Sequence, residues 1–206
     1  MQMVEKTVLS CIKQLGRPFF TTFELSRLCG KSSSTVIQTL NYLEKQGLVT
    51  KVYRGIWADT PTNRLNVFSV VPLLFPRQRA YISFVSALHY HGIVEQVPQV
   101  VTVASTAHTR KIKTKIATYS VHRIHPSFFK GFSWDETKSF LVAGPEKALI
   151  DSLYLSAHRK KNFGYFPELH FARPFSIRKA REWIMEIRNE KTRIYVSKRF
   201  ESLIQQ

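Results

Sequence analysis

A chain of 206 residues with 44% apolar side chains has material for one or two small domains with ordinary cores. Thirty-one Lys and Arg against fourteen Asp and Glu give +17 and a pI near 10.1, a balance that favours polyanionic partners through counterion release at phosphates. No apolar run reaches membrane-spanning length and the start, Met1–Lys6, lacks the charged-then-apolar layout of a signal peptide, so the sequence predicts a cytoplasmic protein with no membrane partner.

The opening helix is predicted over residues 3–15, with Val4, Val8, Cys11 and Leu15 on one face. Cys11 and Cys29 read as small buried hydrophobes in a reducing compartment, since no CxxC motif occurs. Gly16-Arg17-Pro18 ends the helix and Phe19-Phe20 supplies a short strand. Thr21 and Glu24 form a capping box for a second helix, with Leu25, Leu28 and Cys29 inward and Gly30 at its end. Ser32 to Ser34 offer caps for a third helix, predicted from Ser34 to Gln46. Val36, Leu40 and Leu43 fall at i, i+4 and i+7 and line its inner side. Ser34, Gln38, Asn41 and Lys45 fall on the opposite side, flanked by Thr35 and Tyr42, and this outer row has no carboxylate. Gly47 ends the helix; Leu48–Tyr53 alternates as a strand, Arg54-Gly55 turns, and Ile56-Trp57-Ala58 returns.

Residues 1–60 therefore read as a winged helix-turn-helix. In that geometry the helix from Ser34 enters the major groove of double-stranded DNA and the turn at Arg54 reaches phosphates or the minor groove. Ser33, Ser34, Thr35 and Gln38 are assigned to base edges or nearby phosphates; Asn41, Tyr42 and Lys45 extend that surface; Lys51 and Arg54 belong to the wing. The same helices and hairpin also suit a structural subdomain or a protein-binding module.

Asp59–Arg64 is polar, turn-rich and contains Pro61, which predicts a boundary there and a second domain over 65–206. Leu65–Pro76 is apolar and ambiguous. Helices are predicted over Tyr81–His91, Pro145–Ala157 and 176–188, the last with Ile177, Ala180, Trp183, Ile184 and Ile187 inward, and a short final helix begins near Ser197. Strands are predicted over 97–104, 116–124, 128–134 and 139–143. The fold class is α+β: a winged helix-turn-helix followed by a mixed α/β domain.

Residues 1–60 hold eight Lys and Arg against four Asp and Glu, so +4 of the charge lies there and +13 beyond. No acidic residue occurs between Gln96 and Trp134, where Arg110, Lys111, Lys113 and Lys115 cluster in a predicted loop; Arg159-Lys160-Lys161 sit at a helix end. Both stretches suit either a solvated basic surface or contacts with phosphates, which position a protein without reading sequence.

Enzyme chemistry finds little support. His89 and His91, at i and i+2 on a helix, point roughly 200° apart. His122 and His125 face opposite sides of a strand, and Glu146 and Asp151 diverge, with Glu146 placed to complement a helix N-terminus. No P-loop, dinucleotide glycine pattern or nucleophile elbow occurs. No enzyme activity, cofactor or metal is predicted.

The segment Tyr81-Ile82-Ser83-Phe84-Val85-Ser86-Ala87-Leu88-His89-Tyr90-His91-Gly92-Ile93-Val94-Glu95-Gln96-Val97-Pro98 resembles the signature of the AbiEi family, antitoxin components of bacterial type IV toxin–antitoxin, abortive-infection systems. Gly144-Pro145-Glu146-Lys147-Ala148-Leu149-Ile150-Asp151 resembles its second recognisable segment, and Leu43–Val49 with Arg54–Trp57 fit its winged helix. The similarity spans nearly the whole chain. It implies a repressor that binds inverted repeats in the promoter of its own operon, and a genetically linked nucleotidyltransferase-type toxin that it opposes without a stable complex. The alternatives are a solitary winged-helix regulator, or a basic interaction protein whose second domain binds RNA or a protein.

Overall fold

Three hydroxyl side chains open the first three helices. Thr7 Oγ1 accepts from Ser10 N at 3.1 Å and starts α1 (Val8–Leu15). Thr21 Oγ1 accepts from Glu24 N at 3.1 Å while Glu24 Oε2 accepts from Thr21 N at 2.8 Å, the reciprocal capping box at the head of α2 (Thr22–Cys29). Ser32 Oγ accepts from Thr35 N at 3.2 Å and starts α3 (Ser33–Lys45). The first helix thus begins five residues later than the apolar spacing predicts, because Thr7 caps it. Thr21→Ala is expected to lower stability by about 1 kcal/mol, read as a shifted urea midpoint at unchanged slope.

The computed structural model describes residues 6–59, 65–137, 139–158, 163, 165–166, 168–171 and 175–205. The chain forms two units: residues up to Leu74 with Lys113–Ala117, and Phe75–Ile112 with Thr118 onward. In the first, β1 (Phe19–Thr21), β2 (Val49–Tyr53) and β3 (Ile56–Asp59) make an antiparallel sheet in the order β1-β3-β2. Gly55, at φ +70°, closes the β2–β3 turn in a conformation that favours glycine. Val8, Cys11, Ile12, Phe20, Leu25, Val36, Leu40, Leu43, Val49 and Trp57 form the core, with Leu28 and Cys29 packed at its margin. Burial, with Cys11 beside it, pushes the Cys29 thiol up to about 12. Trp57 Nε1 donates to Thr22 Oγ1 at 3.1 Å, so the one polar atom of this buried ring is satisfied. From 113–117, Lys115 N donates to Val52 O at 3.1 Å and joins that segment to β2 within the unit.

Residues 65–76, ambiguous from sequence, carry a 3-10 turn at Val67–Val70 and the short helix α4 (Val71–Leu74). In the second unit the sheet order is β6-β7-β5-β4-β9-β8, with β4 Ala80–Ile82, β5 Val101–Ser105, β6 Arg110–Lys113, β7 Thr118–Arg123, β8 Phe132–Trp134 and β9 Leu141–Ala143. β4 runs antiparallel to β5 and parallel to β9; β5 runs parallel to β7, and β8 antiparallel to β9. The register lines up Val121, Val103, Ile82 and Val142 in one buried row across four strands.

Beyond α1, four predicted elements of the second unit differ most. Tyr81 and Ile82 are strand, and the helix α5 runs from Phe84 to Tyr90, because β4 pairs on both sides. Phe84 opens it at φ +57°, a strained value for a bulky residue, with its ring fully buried. Residues 97–100 carry no strand, and Val97 is exposed. The predicted strand 128–134 keeps only Phe132–Trp134; a 3-10 turn at Pro126–Phe128 precedes it. The last helix, α8, spans Glu190–Ile204 rather than starting at Ser197, because Asn189 Oδ1 accepts from Thr192 N at 2.9 Å and caps it there.

Helix α6 (Pro145–Ala157) starts with proline at its first turn, as predicted, and is buried nearly all round, its polar Glu146, Lys147, Asp151, Ser152 and Ser156 included. It packs against α5, α7 (Ile177–Met185), α8 and β9, which explains why almost every one of its residues is buried. On α7, Ala180 and Ile184 are buried, but Ile177 is exposed.

Candidate nucleic-acid interface

Helix α3 has two sides with opposite characters. Val36 and Leu40 are fully buried and Leu43 nearly so. Ser33, Ser34, Thr35, Gln38, Asn41, Tyr42 and Lys45 are all exposed. The hydroxyls at the helix start already hold one another: Ser32 Oγ lies 2.8 Å from Ser34 Oγ and 2.9 Å from Thr35 Oγ1. Ser34 and Thr35 therefore carry the cap as well as the surface. Gln38, Asn41 and Lys45 make no side-chain hydrogen bond or ion pair within the described residues. Their amides and ammonium are available to a partner along roughly 10 Å of helix, at 1.5 Å rise per residue.

The only acid on α3 is Glu44, and it is engaged. Its Oε1 accepts from Lys115 Nζ at 2.8 Å and from Lys51 N at 3.0 Å. The Lys115 hydrogen bond, then that of Lys51 N, holds its carboxyl below the ordinary range, against the pull of burial. The negative charge thus sits with its own counter-ion and leaves the outer row free of repulsion toward phosphate. On the β2–β3 hairpin, Lys51 and Arg54 are exposed, and the Lys51 ammonium lies 5.6 Å from the centre of the Trp57 ring. Sequence reasoning missed Phe23, two-thirds exposed on α2 with the Arg27 guanidinium 5.8 Å over its ring.

The basic residues beyond the first module are placed differently from the prediction. Arg110, Lys111 and Lys113 are on strand β6, not in a loop; Ile112 turns inward between them and fixes the pairing. The Arg110 guanidinium covers the Phe75 ring at 5.3 Å, so its planar face is in use. Lys115, read as a phosphate contact, is the partner of Glu44. Arg159, Lys160 and Lys161 lie outside the described residues.

The histidine pair is held apart by two carbonyls: His89 Nδ1 is 3.0 Å from Val94 O, and His91 Nε2 is 2.8 Å from Ala143 O. Among the described residues no three His, Cys, Asp or Glu side chains gather where a metal ion would bind. Glu146 is buried and accepts from Ser176 N at 2.8 Å, which ties α6 to the start of α7 rather than only complementing a helix end. Asp151 pairs with Lys147, one turn back on α6, both without solvent exposure. Tyr81 and Ser83 complete that buried group through Asp151 Oδ2, at 2.9 and 2.7 Å. Only the i, i+4 spacing of Lys147 and Asp151 signalled it in the sequence.

No protein-family model and no curated protein matches the chain.

Proposed function

We propose that this protein is a sequence-specific DNA-binding repressor whose first unit acts as a winged helix-turn-helix. The observation that carries the reading is the exposed, acid-free row of α3, whose one carboxylate is bonded to Lys115. DNA offers what that row lacks: acceptors on base edges and negative phosphates. Gln38 and Asn41 are the side chains suited to base edges, since an amide gives donor and acceptor together. Lys45, Lys51 and Arg54 suit phosphates. The resemblance to the AbiEi family extends the proposal to an antitoxin that represses its own operon and opposes a linked nucleotidyltransferase-type toxin.

The test is an anisotropy titration of the full chain against DNA upstream of its own gene and against random DNA, at two salt concentrations. Preference for the upstream DNA that persists at the higher salt is the expected outcome. Equal binding to both DNAs that collapses with salt would reduce the affinity to the +17 charge and end the reading. Gln38→Ala is expected to lower discrimination by about 1–3 kcal/mol. Arg54→Ala should weaken both DNAs alike and reduce the salt slope by about 1.

A second reading rests on where the charge lies: +10 of the +17 falls in the second unit. An RNA-binding second unit would give tighter binding to single-stranded RNA than to the upstream duplex in the same titration.

A further inference from the structure

The outer face of α3 carries one aliphatic side chain. Ile37 is 40% exposed, whereas Val36, Leu40 and Leu43 fill the core. A lone exposed aliphatic group is ordinary on a protein surface, and its neighbours give this one its meaning. Ile37 follows Ser34 by three residues and precedes Asn41 by four, so it shares their surface, and Gln38 is next to it in the chain. The carboxamides of Gln38 and Asn41 are exposed and bonded to nothing among the described residues. Glu44 is turned away to Lys51 N and Lys115 Nζ, and Lys45 is the last residue of the helix.

In a major groove these groups match one kind of base pair better than the other. Adenine presents N7 as an acceptor and N6 as a donor, which a single carboxamide meets with both its atoms. Its partner thymine adds an apolar C5-methyl group. Guanine presents two acceptors, which the guanidinium of arginine meets best, and α3 contains no arginine. Its one cation, Lys45, lies roughly 10 Å beyond Gln38 at 1.5 Å per residue, whereas the early residues of a reading helix are those that reach base edges. Ile37 and Asn41 are about 6 Å apart along the axis, which spans about two base pairs.

We propose that α3 selects A·T base pairs: Gln38 and Asn41 bond to adenine edges, and Ile37 packs on the methyl group of a neighbouring thymine. This rests on the DNA-binding reading of the first unit and adds which bases it takes.

The test is an anisotropy titration of the full chain with three duplexes: the upstream DNA, the same DNA with every thymine replaced by uracil, and random DNA. Uracil pairs as thymine does and lacks only the methyl group, so the phosphate charge that a +17 chain attracts is unchanged. The parent chain is expected to bind the uracil duplex about fourfold more weakly, the size of one methyl group returned to water. Ile37→Ala should bind the thymine duplex weakly as well, and should no longer distinguish it from the uracil duplex. Leu9→Ala removes an aliphatic group from an exposed site on α1 and should keep the full ratio. Ile37 is exposed and alanine favours helix, so the Ile37→Ala chain keeps its fold, which an unchanged urea midpoint checks. Equal binding of the thymine and uracil duplexes by the parent would overturn the proposal, and so would an Ile37→Ala chain that still discriminates fourfold. In either case a preference for upstream over random DNA would leave the DNA-binding reading standing. Absence of that preference in the parent would overturn both.

Discussion

Asp151→Ala is expected to cost the second unit about 3–5 kcal/mol, because it leaves an ammonium ion buried without its counter-charge. Asp151 and Lys147 are completely buried on consecutive turns of α6. Burial pushes the Asp151 carboxyl up and the Lys147 ammonium down, and each charge pulls the other back toward ionisation. Two hydroxyl donors, from Tyr81 and Ser83, add to the carboxylate side. The Lys147 ammonium lies 4.0 Å from the centre of the Phe128 ring, with Trp183 at 5.7 Å and Tyr81 at 5.8 Å. Those ring faces attract a cation but do not replace a carboxylate, since each is worth about 0.5–2 kcal/mol. The measurement is urea unfolding of the full chain followed by circular dichroism and fitted with two transitions, one per unit. The double variant Lys147→Met, Asp151→Leu should lose less than Asp151→Ala alone, because neither charge then has to be buried. A double variant that loses as much as the two single changes combined would show that the pair contributes no coupling.

Leu40→Ala is expected to destabilise the first unit by about 2–5 kcal/mol and to abolish the proposed DNA binding with it. Leu40 is fully buried in the core shared by α1, α2, α3 and the sheet. Gln38, two residues earlier on the same helix, is exposed, and its replacement by Ala should leave the urea midpoint within about 0.5 kcal/mol of the parent. Opposite results on stability and discrimination from neighbouring positions would separate the packing side of α3 from the side proposed to meet DNA. Equal destabilisation by the two changes would contradict the placement of Gln38 on the surface.

What could be read in advance was local. The capping box at Thr21 and the apolar stripe of α3 need only residues three or four apart, so periodicity and spacing found them. β4 was hidden because all three of its residues are buried, leaving no alternation to distinguish it from the helix that follows. β6 was read as a loop because three of its four residues are cations; its pairing with β7 makes it a strand. The apolar run before Val101 looked like strand, but only the residues from Val101 onward find partners in β7. The buried group around Asp151 joins residues 68 and 70 positions apart, and no local pattern encodes that meeting. The outer row of α3 was legible as a surface, while the engagement of its one acid by Lys115, 71 positions away, was not.

The membership of Lys113–Ala117 in the first unit sets an order of events during synthesis. Asp59 leaves the ribosome 58 residues ahead of Ala117, a delay of roughly 3–12 s at 5–20 residues per second. Through that interval α3 and the hairpin have their core, but Glu44 lacks its cation and Val52 O lacks its donor. A nascent chain stalled before residue 113 would carry an uncompensated carboxylate beside the face proposed to meet DNA. A fragment cut at residue 60 reproduces that immature state, so its affinity for the upstream duplex should fall below that of the finished protein even if it folds.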